Sequence, residues 1–222
     1  MHYPQAPTPL VFPSDLSLLY SRDMRDIKMK PTKIIGIRAL SNEETLAGAG
    51  SGQAFFSKLA DAVKDVPRDS VVALNFAKVD IVTASFFRSA FRAFRDYARA
   101  ELRIYPVFTN VNVATREEIG FFAEGSGDVF VLATLGKDGQ LKSPLALGKL
   151  DEKQSRALRA IANLGEADAG QLREAFPETP VVSSAAWSNR LAVLSAKGLV
   201  MERLEGRAKK FKPIIEGLTH GH

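Results

Sequence analysis

The chain has 222 residues, 45% of them hydrophobic, and 30 Lys and Arg against 25 Asp and Glu give a formal charge of +5. That composition supplies a sizeable core for one large or two small domains, and its positive balance permits attraction to nucleic acid without demanding it. There is no cysteine, which excludes disulfides, thiolate metal sites and thiolate nucleophiles and fits a reducing cytoplasm, and no apolar run approaches the length of a membrane span.

Residues 1–32, opening MHYPQAPTPLVFPSD, are Pro-rich and lack a basic segment ahead of an apolar one. They read as an extended arm, not a signal peptide. Beyond them, candidate strands at 33–40, 70–76, 103–109 and 128–135 alternate with helical segments at 53–66, 85–102 and 115–123. A further strand at 140–147 follows the turn Lys137-Asp138-Gly139. The alternation predicts an α/β domain over 33–147, a sheet backed by helices. The Gly-rich stretch at 47–53 (AGAGSGQ) lacks the Lys-Ser/Thr ending of a phosphate-binding loop and reads as a flexible connection.

The segment at 85–102 carries two patterns. Phe87, Phe91, Phe94, Ala98 and Leu102 fall on one side and are expected to bury against the sheet. Arg88, Arg92, Arg95, Arg99 and Arg103 recur at steps that make one stripe. Arg88, Arg92, Arg95 and Arg99 are therefore candidates for contact with an anion or an acidic partner, the alternative being a solvated face balanced by Asp96.

After a short junction at Gly148 the pattern changes to three helices and a hairpin, expected over 148–215. Leu150, Leu158, Ile161 and Leu164 recur at helical spacing, with Asp151 before them and Gly165 after. A second helix at 168–176 carries Leu172. In a third, Val182, Trp187, Leu191 and Leu194 lie on or near one face, ending at Gly198. Alternating residues on either side of Glu205-Gly206-Arg207 then predict a β-hairpin. From 151 to 222 there are 11 Lys and Arg against 9 Asp and Glu. The useful cluster is local: Arg203, Arg207, Lys209, Lys210 and Lys212 on the hairpin suit phosphates, or else a solvated edge. Residues 216–222 read as a flexible tail.

The histidines are His2, His220 and His222, all near the ends of the chain, so no internal His is available to a triad or a metal. No set of base, nucleophile and oxyanion donor can be named. The sequence predicts no enzyme, no catalytic residue, no metal and no cofactor.

Two resemblances sharpen this reading. Ser183, Ser184, Trp187, Ser188, Asn189, Arg190, Leu191, Leu194, Gly198 and Leu199 resemble the third-helix signature of winged helix-turn-helix regulators of the MarR/ArsR type. The resemblance implies double-stranded DNA as partner. Ser184, Ser188 and Asn189 would face base edges, Arg190 would lie near the backbone, and Arg207, Lys209 and Lys210 would meet phosphates on the wing. Ala185, Ala186 and Ala192 stand where many DNA readers carry polar or basic groups, which leaves protein contact as the alternative.

The stretch VVALNFAKVDIVTASFFRSAFRAF is similar to the strand, loop and helix of STAS domains, and more so to a STAS-like group of unknown function. Asn75, Phe76, Val79, Asp80, Thr83, Ala84, Ser85, Phe86 and Phe87 carry the likeness. In sigma-regulating members a serine after an aspartate is phosphorylated. Here Thr83 and Ala84 hold those places, which argues against that switch and leaves Ser85 as a secondary phosphosite candidate, with Ser85 or Thr83 capping the helix. Together the resemblances imply a cytoplasmic DNA-binding transcriptional regulator with a STAS-like sensing or docking domain. The alternative is an adaptor that binds a kinase-like ATPase or other switch protein. A protein partner or homodimer is compatible with either.

Overall fold

The computed structural model describes residues 29–206 and 208–221. β1 (Lys33–Gly36) runs into a short α1 (Ile37–Ser41), a two-residue β2 (Thr45–Leu46) and α2 (Ala49–Val63). β3 (Ser70–Asn75) and β4 (Ile81–Val82) precede a helical run of α3 (Ala84–Phe87), a π-helical turn (Arg88–Arg92), α4 (Ala93–Tyr97) and a second π-helical turn (Ala98–Leu102). β5 (Ile104–Thr109), α5 (Val113–Ser126), β6 (Val129–Leu135) and β7 (Leu141–Gly148) complete this part. Then come α6 (Glu152–Leu164), α7 (Ala169–Ala175), α8 (Ser184–Ala196), the hairpin β8 (Val200–Glu205) and β9 (Ala208–Pro213), and β10 (Thr219–Gly221).

The central sheet has the order β1-β3-β5-β6-β7-β10 and is parallel except for the β6–β7 pair. Its inner strands are apolar at nearly every position, as a strand must be when both faces are covered. Successive side chains go to opposite sides. Val72 and Leu74, Ile104 and Phe108, and Phe130 and Leu132 join one buried cluster with α2, α3, α4 and α5. Val71 and Ala73, Tyr105 and Val107, and Val129 and Val131 join the other, with Leu158, Ile161, Leu172, Trp187, Leu191, Leu194 and Phe211. The sheet is thus the middle of three layers. The helices and hairpin at 148–215, read in sequence as a separate unit, share a continuous core with one sheet face.

One glycine of the supposed flexible stretch is needed for packing. Helix α2 already begins at Ala49, and a Cβ at Gly52 would lie 2.9 Å from the Ser89 Cβ and 3.0 Å from the Phe86 carbonyl oxygen. The close approach of α2 to the α3 run requires the missing side chain.

Other expectations also shift. The strand read at 33–40 breaks after Gly36 into α1, which buries Ile37 and ends on Asn42 in the left-handed region at φ 63°. Leu164 is 43% exposed, because the last turn of α6 runs past the packed face, where Ile161 is the final buried residue. Residues 216–222, read as a flexible tail, hold β10, whose Thr219, His220 and Gly221 pair in parallel with Leu145, Ala146 and Leu147. The His220 ring fixes that strand: Nε2 donates to the Gly148 carbonyl at 2.8 Å, and Nδ1 lies 3.1 Å from the Ser155 hydroxyl on α6. Of the expected N-terminal arm, residues 1–28 lie outside the described residues. Met29 follows them and accepts a hydrogen bond from the Leu141 amide at 2.8 Å.

Candidate nucleic-acid interface

Helix α8 starts on Ser183, whose hydroxyl accepts from the Ala186 amide at 3.2 Å. Trp187, Leu191 and Leu194 are buried, as their shared side predicts. Asn189 is exposed and Ser184 and Ser188 are half-buried, so these three polar groups sit on the side turned from the core. The rest of that side is Ala185, Ala192, Val193 and Ala196, all exposed and all uncharged.

Arg190 is not on the outward face. It donates to both Glu178 carboxylate oxygens at 2.5 and 3.2 Å and lies over the Trp187 ring at 5.0 Å. The hydrogen bond from Arg190 holds the Glu178 carboxyl below its ordinary value, against the opposing effect of burial. Arg156 of α6 reaches the same carboxylate at 3.8 Å. Glu178 thereby pins the 176–183 connection between α7 and α8 to both α6 and α8. That connection is longer than the three or four residues usual between the two helices of a helix-turn-helix.

Three of the hairpin's cations are paired. Lys209 meets Glu202 at 2.7 Å, Lys210 meets Asp168 at 3.2 Å, and Arg203 meets Glu166 at 2.5 Å. A hydrogen bond from Arg203 lowers the Glu166 carboxyl, and one from the Gln171 amide, with Lys210 beside it, lowers that of Asp168. Lys212 is exposed and forms no ion pair among the described residues. Arg207, expected at the tip, lies outside the described residues.

The arginine stripe does not stay on one face. The two π-helical turns shift its register, and Arg103 is the left-handed cap at φ 55°, not a helical residue. Arg95 is 4% exposed: it lies over Phe130 at 4.2 Å and donates to the Val129 carbonyl at 3.1 Å and to Asp128 at 2.8 Å. Arg92 meets Asp128 at 3.1 Å. Burial would raise the Asp128 carboxyl, but the Ser126 hydrogen bond and the Arg95 and Arg92 guanidinia outweigh it and hold the group low. Arg99 donates to the Lys197 carbonyl at 3.1 Å and to the Ala196 carbonyl, so it closes the C-terminus of α8. Burial and the nearby Arg95 push its guanidinium below the ordinary value. Arg103 donates to the Glu202 carbonyl at 3.0 Å and to Asp69. Only Arg88 remains exposed, over Phe122 at 5.9 Å.

These partners explain why the stripe misleads. A helix ends with four carbonyls lacking intrahelical donors, and cations suit that end. Arg99 meets this need from the neighbouring layer, and Lys197 returns a bond to the Gly127 carbonyl at 2.8 Å. Gly198, at φ 72°, leaves room for Arg99, since a Cβ there would lie 2.8 Å from the Arg99 side chain.

At the loop before α3, Thr83 is the cap: its hydroxyl accepts from the Phe86 amide at 3.4 Å. Ser85 is exposed, 3.2 Å from the Thr83 hydroxyl. Among the described residues no group of three or more His, Asp or Glu is placed to hold a metal, and no helix is long and apolar enough to cross a membrane. Sequence reasoning missed a cleft of about 750 Å³ at the carboxyl ends of β5 and β6. The loop residues Asn110, Gln140 and Glu216 on its wall carry no periodic signal. The chain matches no protein-family model and no curated protein sequence.

Proposed function

We propose that the protein is a DNA-binding regulator in which α6, α7, α8 and the β8–β9 hairpin act as a winged helix-turn-helix, joined to a STAS-like layer that senses or docks a partner. The observation that carries this reading is the orientation of α8. Its apolar residues Trp187, Leu191 and Leu194 are spent on the core, and Ser184, Ser188 and Asn189 are left turned away from it beside a hairpin bearing Lys209, Lys210 and Lys212. In this mechanism Asn189 reads a base edge and the hairpin cations exchange their surface carboxylate partners for phosphates. Arg190, tied to Glu178, positions the helix and does not contact DNA.

The test is binding to a site selected from random duplexes, measured across a salt series. Asn189→Ala should remove about 1–3 kcal/mol of preference for the selected base while leaving affinity for random DNA nearly unchanged. A selected site whose preference survives Asn189→Ala would show that α8 does not read it.

The adaptor is the second reading, and one observation favours it: Ala185, Ala192, Val193 and Ala196 make most of the outward side of α8 uncharged. A full chain that shifts no duplex even at low salt, where phosphate contacts are strongest, would support it.

A further inference from the structure

A smaller cleft, of about 240 Å³, lies where the helical run before β5 meets the helices and hairpin at 148–215. Arg99, Arg103 and Tyr105 line it from the sheet side, and Ser195 of α8 and Glu202 of β8 line it from the other. All five keep accessible surface: Tyr105 is 8% exposed and the rest are half-buried. The donors here are not used up. A guanidinium carries five N–H groups and no acceptor. Arg99 gives a hydrogen from one Nη to the Lys197 carbonyl and from the other to the Ala196 carbonyl, and each Nη keeps a second without an acceptor among the described residues. Arg103 spends Nε and Nη2 on Asp69 and the Glu202 carbonyl, which leaves Nη1 unengaged among the described residues.

The Tyr105 and Ser195 hydroxyls make no hydrogen bond among the described residues, although a tyrosine buried so deeply usually finds a partner. Burial and the nearby Asp69 raise the pKa of Tyr105, so it keeps its proton and can donate. Arg103, Arg99 and Glu202 act on the same hydroxyl, which places it among the charged groups of the cleft. Charge points the same way as the donors. Asp69 neutralises Arg103 at 2.8 Å, and Lys209 neutralises Glu202 at 2.7 Å. Arg99 forms no ion pair among the described residues and has only neutral carbonyls as partners, so its charge is uncompensated. The end of α8, whose carbonyl dipoles repel anions, is already covered by that guanidinium. Converging donors beside an uncompensated cation call for an anion rich in acceptors. One group runs the other way: Lys209 holds Glu202 Oε1, and Oε2 is left without a donor among the described residues.

We propose that this cleft binds inorganic phosphate, an oxyanion that keeps a P–OH group at neutral pH. Its bare oxygens accept from Arg99, from Arg103 Nη1 and from the Tyr105 and Ser195 hydroxyls, and its P–OH donates to Glu202 Oε2. Sulfate has no proton to give and sets an oxygen against that carboxylate, which costs affinity. A phosphomonoester sheds its last proton at about pH 6 and has the same defect above it. Arg99, Arg103 and Tyr105 belong to one part of the chain and Ser195 and Glu202 to the other, so the ion also ties α8 and the hairpin to the helical run. The proposal concerns ion capture and stands whether or not α8 reads DNA.

The experiment is calorimetric titration of the full chain at about pH 8 with sodium phosphate, sodium sulfate and methyl phosphate at matched ionic strength. Phosphate should bind saturably, with sulfate and methyl phosphate weaker by about tenfold or more. Tyr105→Phe and Ser195→Ala each delete a single hydroxyl and should each weaken phosphate by about tenfold. Glu202→Gln should close the gap between phosphate and sulfate, an effect that a loss of folding does not produce. Four results would overturn the proposal. The first is no saturable binding of phosphate up to about 10 mM. The second is sulfate or methyl phosphate binding as tightly as phosphate, and the third is a preference for phosphate that survives Glu202→Gln. The fourth is unaltered binding in both hydroxyl variants, the outcome expected of phosphate held by the hairpin lysines instead.

Discussion

Arg92, Arg95, Arg99 and Arg103 lie on one helical run and its cap, with Asp128, Asp69 and the carbonyls of Val129, Lys197 and Glu202 as partners, whereas Arg203, Lys209 and Lys210 sit on the β8–β9 hairpin with Glu166, Glu202 and Asp168, and both sets are paired. The pairs differ in what water does to them. Arg95 is held in a nearly closed space by Asp128, the Val129 carbonyl and the Phe130 ring. Removing one member there leaves the others desolvated and unmatched. The Lys209–Glu202 pair is half-exposed, so either partner can exchange it for water or another ion at little cost. Charge that is buried and paired is structure. Only charge that is exposed and exchangeable is available to a phosphate.

The largest test of this contrast is Arg95→Ala. It should destabilise the protein by about 3 kcal/mol, because Asp128 and the Val129 carbonyl lose their shared donor. Chemical denaturation measures it, and a loss below about 1 kcal/mol would place Arg95 with the surface pairs.

Arg99→Ala should cost less, about 1–2 kcal/mol, since it removes hydrogen bonds to the last carbonyls of α8 while water can reach part of the gap. The effect should be local. Amide exchange should rise at the end of α8 and at Gly198 before it rises in β3 and β5.

Acidification sharpens the comparison further. Asp128 and Glu178 both have folded-state values below their ordinary ones. Their stabilisation is therefore complete above the ordinary carboxylate range and is lost as pH falls through the lowered folded values. Stability should decline below about pH 4, and the decline should be shallower in Arg95→Ala, where Asp128 has lost one guanidinium. An equal acid dependence in both proteins would remove Asp128 as a source.

The smallest effect on stability is expected from Lys209→Ala with Lys210→Ala, within about 1 kcal/mol. Its consequence should appear in binding instead. Affinity for all duplexes should fall, and the slope of log affinity against log salt should flatten by about 2, one for each lost phosphate contact. Unchanged binding at low salt would take the hairpin out of the interface.

How much of this was legible without the fold depends on how far each residue's partner lies along the chain. The apolar run at 70–75 and the buried side of α8 were readable, because composition and burial face are local properties of a strand or helix. Asp151 before α6 was readable for the same reason: its hydrogen bond reaches only to the Gln154 amide. β2, β4 and β10 were not, since two or three residues carry no period. The role of Thr219–Gly221 exists only because Leu145–Leu147 lie beside them.

The candidate site divides in the same way. The sequence by itself determined that Ser184, Ser188 and Asn189 are turned from the core, since Trp187, Leu191 and Leu194 claim the other side. It also determined that basic residues cluster on the hairpin. Only the tertiary structure decided which of those charges are engaged. Arg95 finds Asp128 across 33 positions, Arg99 finds the end of α8 across nearly 100, and Glu178 takes Arg190 out of the outward face. Apolar patterning is written residue by residue because burial acts on each side chain alone, whereas an ion pair belongs to two residues that folding brings together.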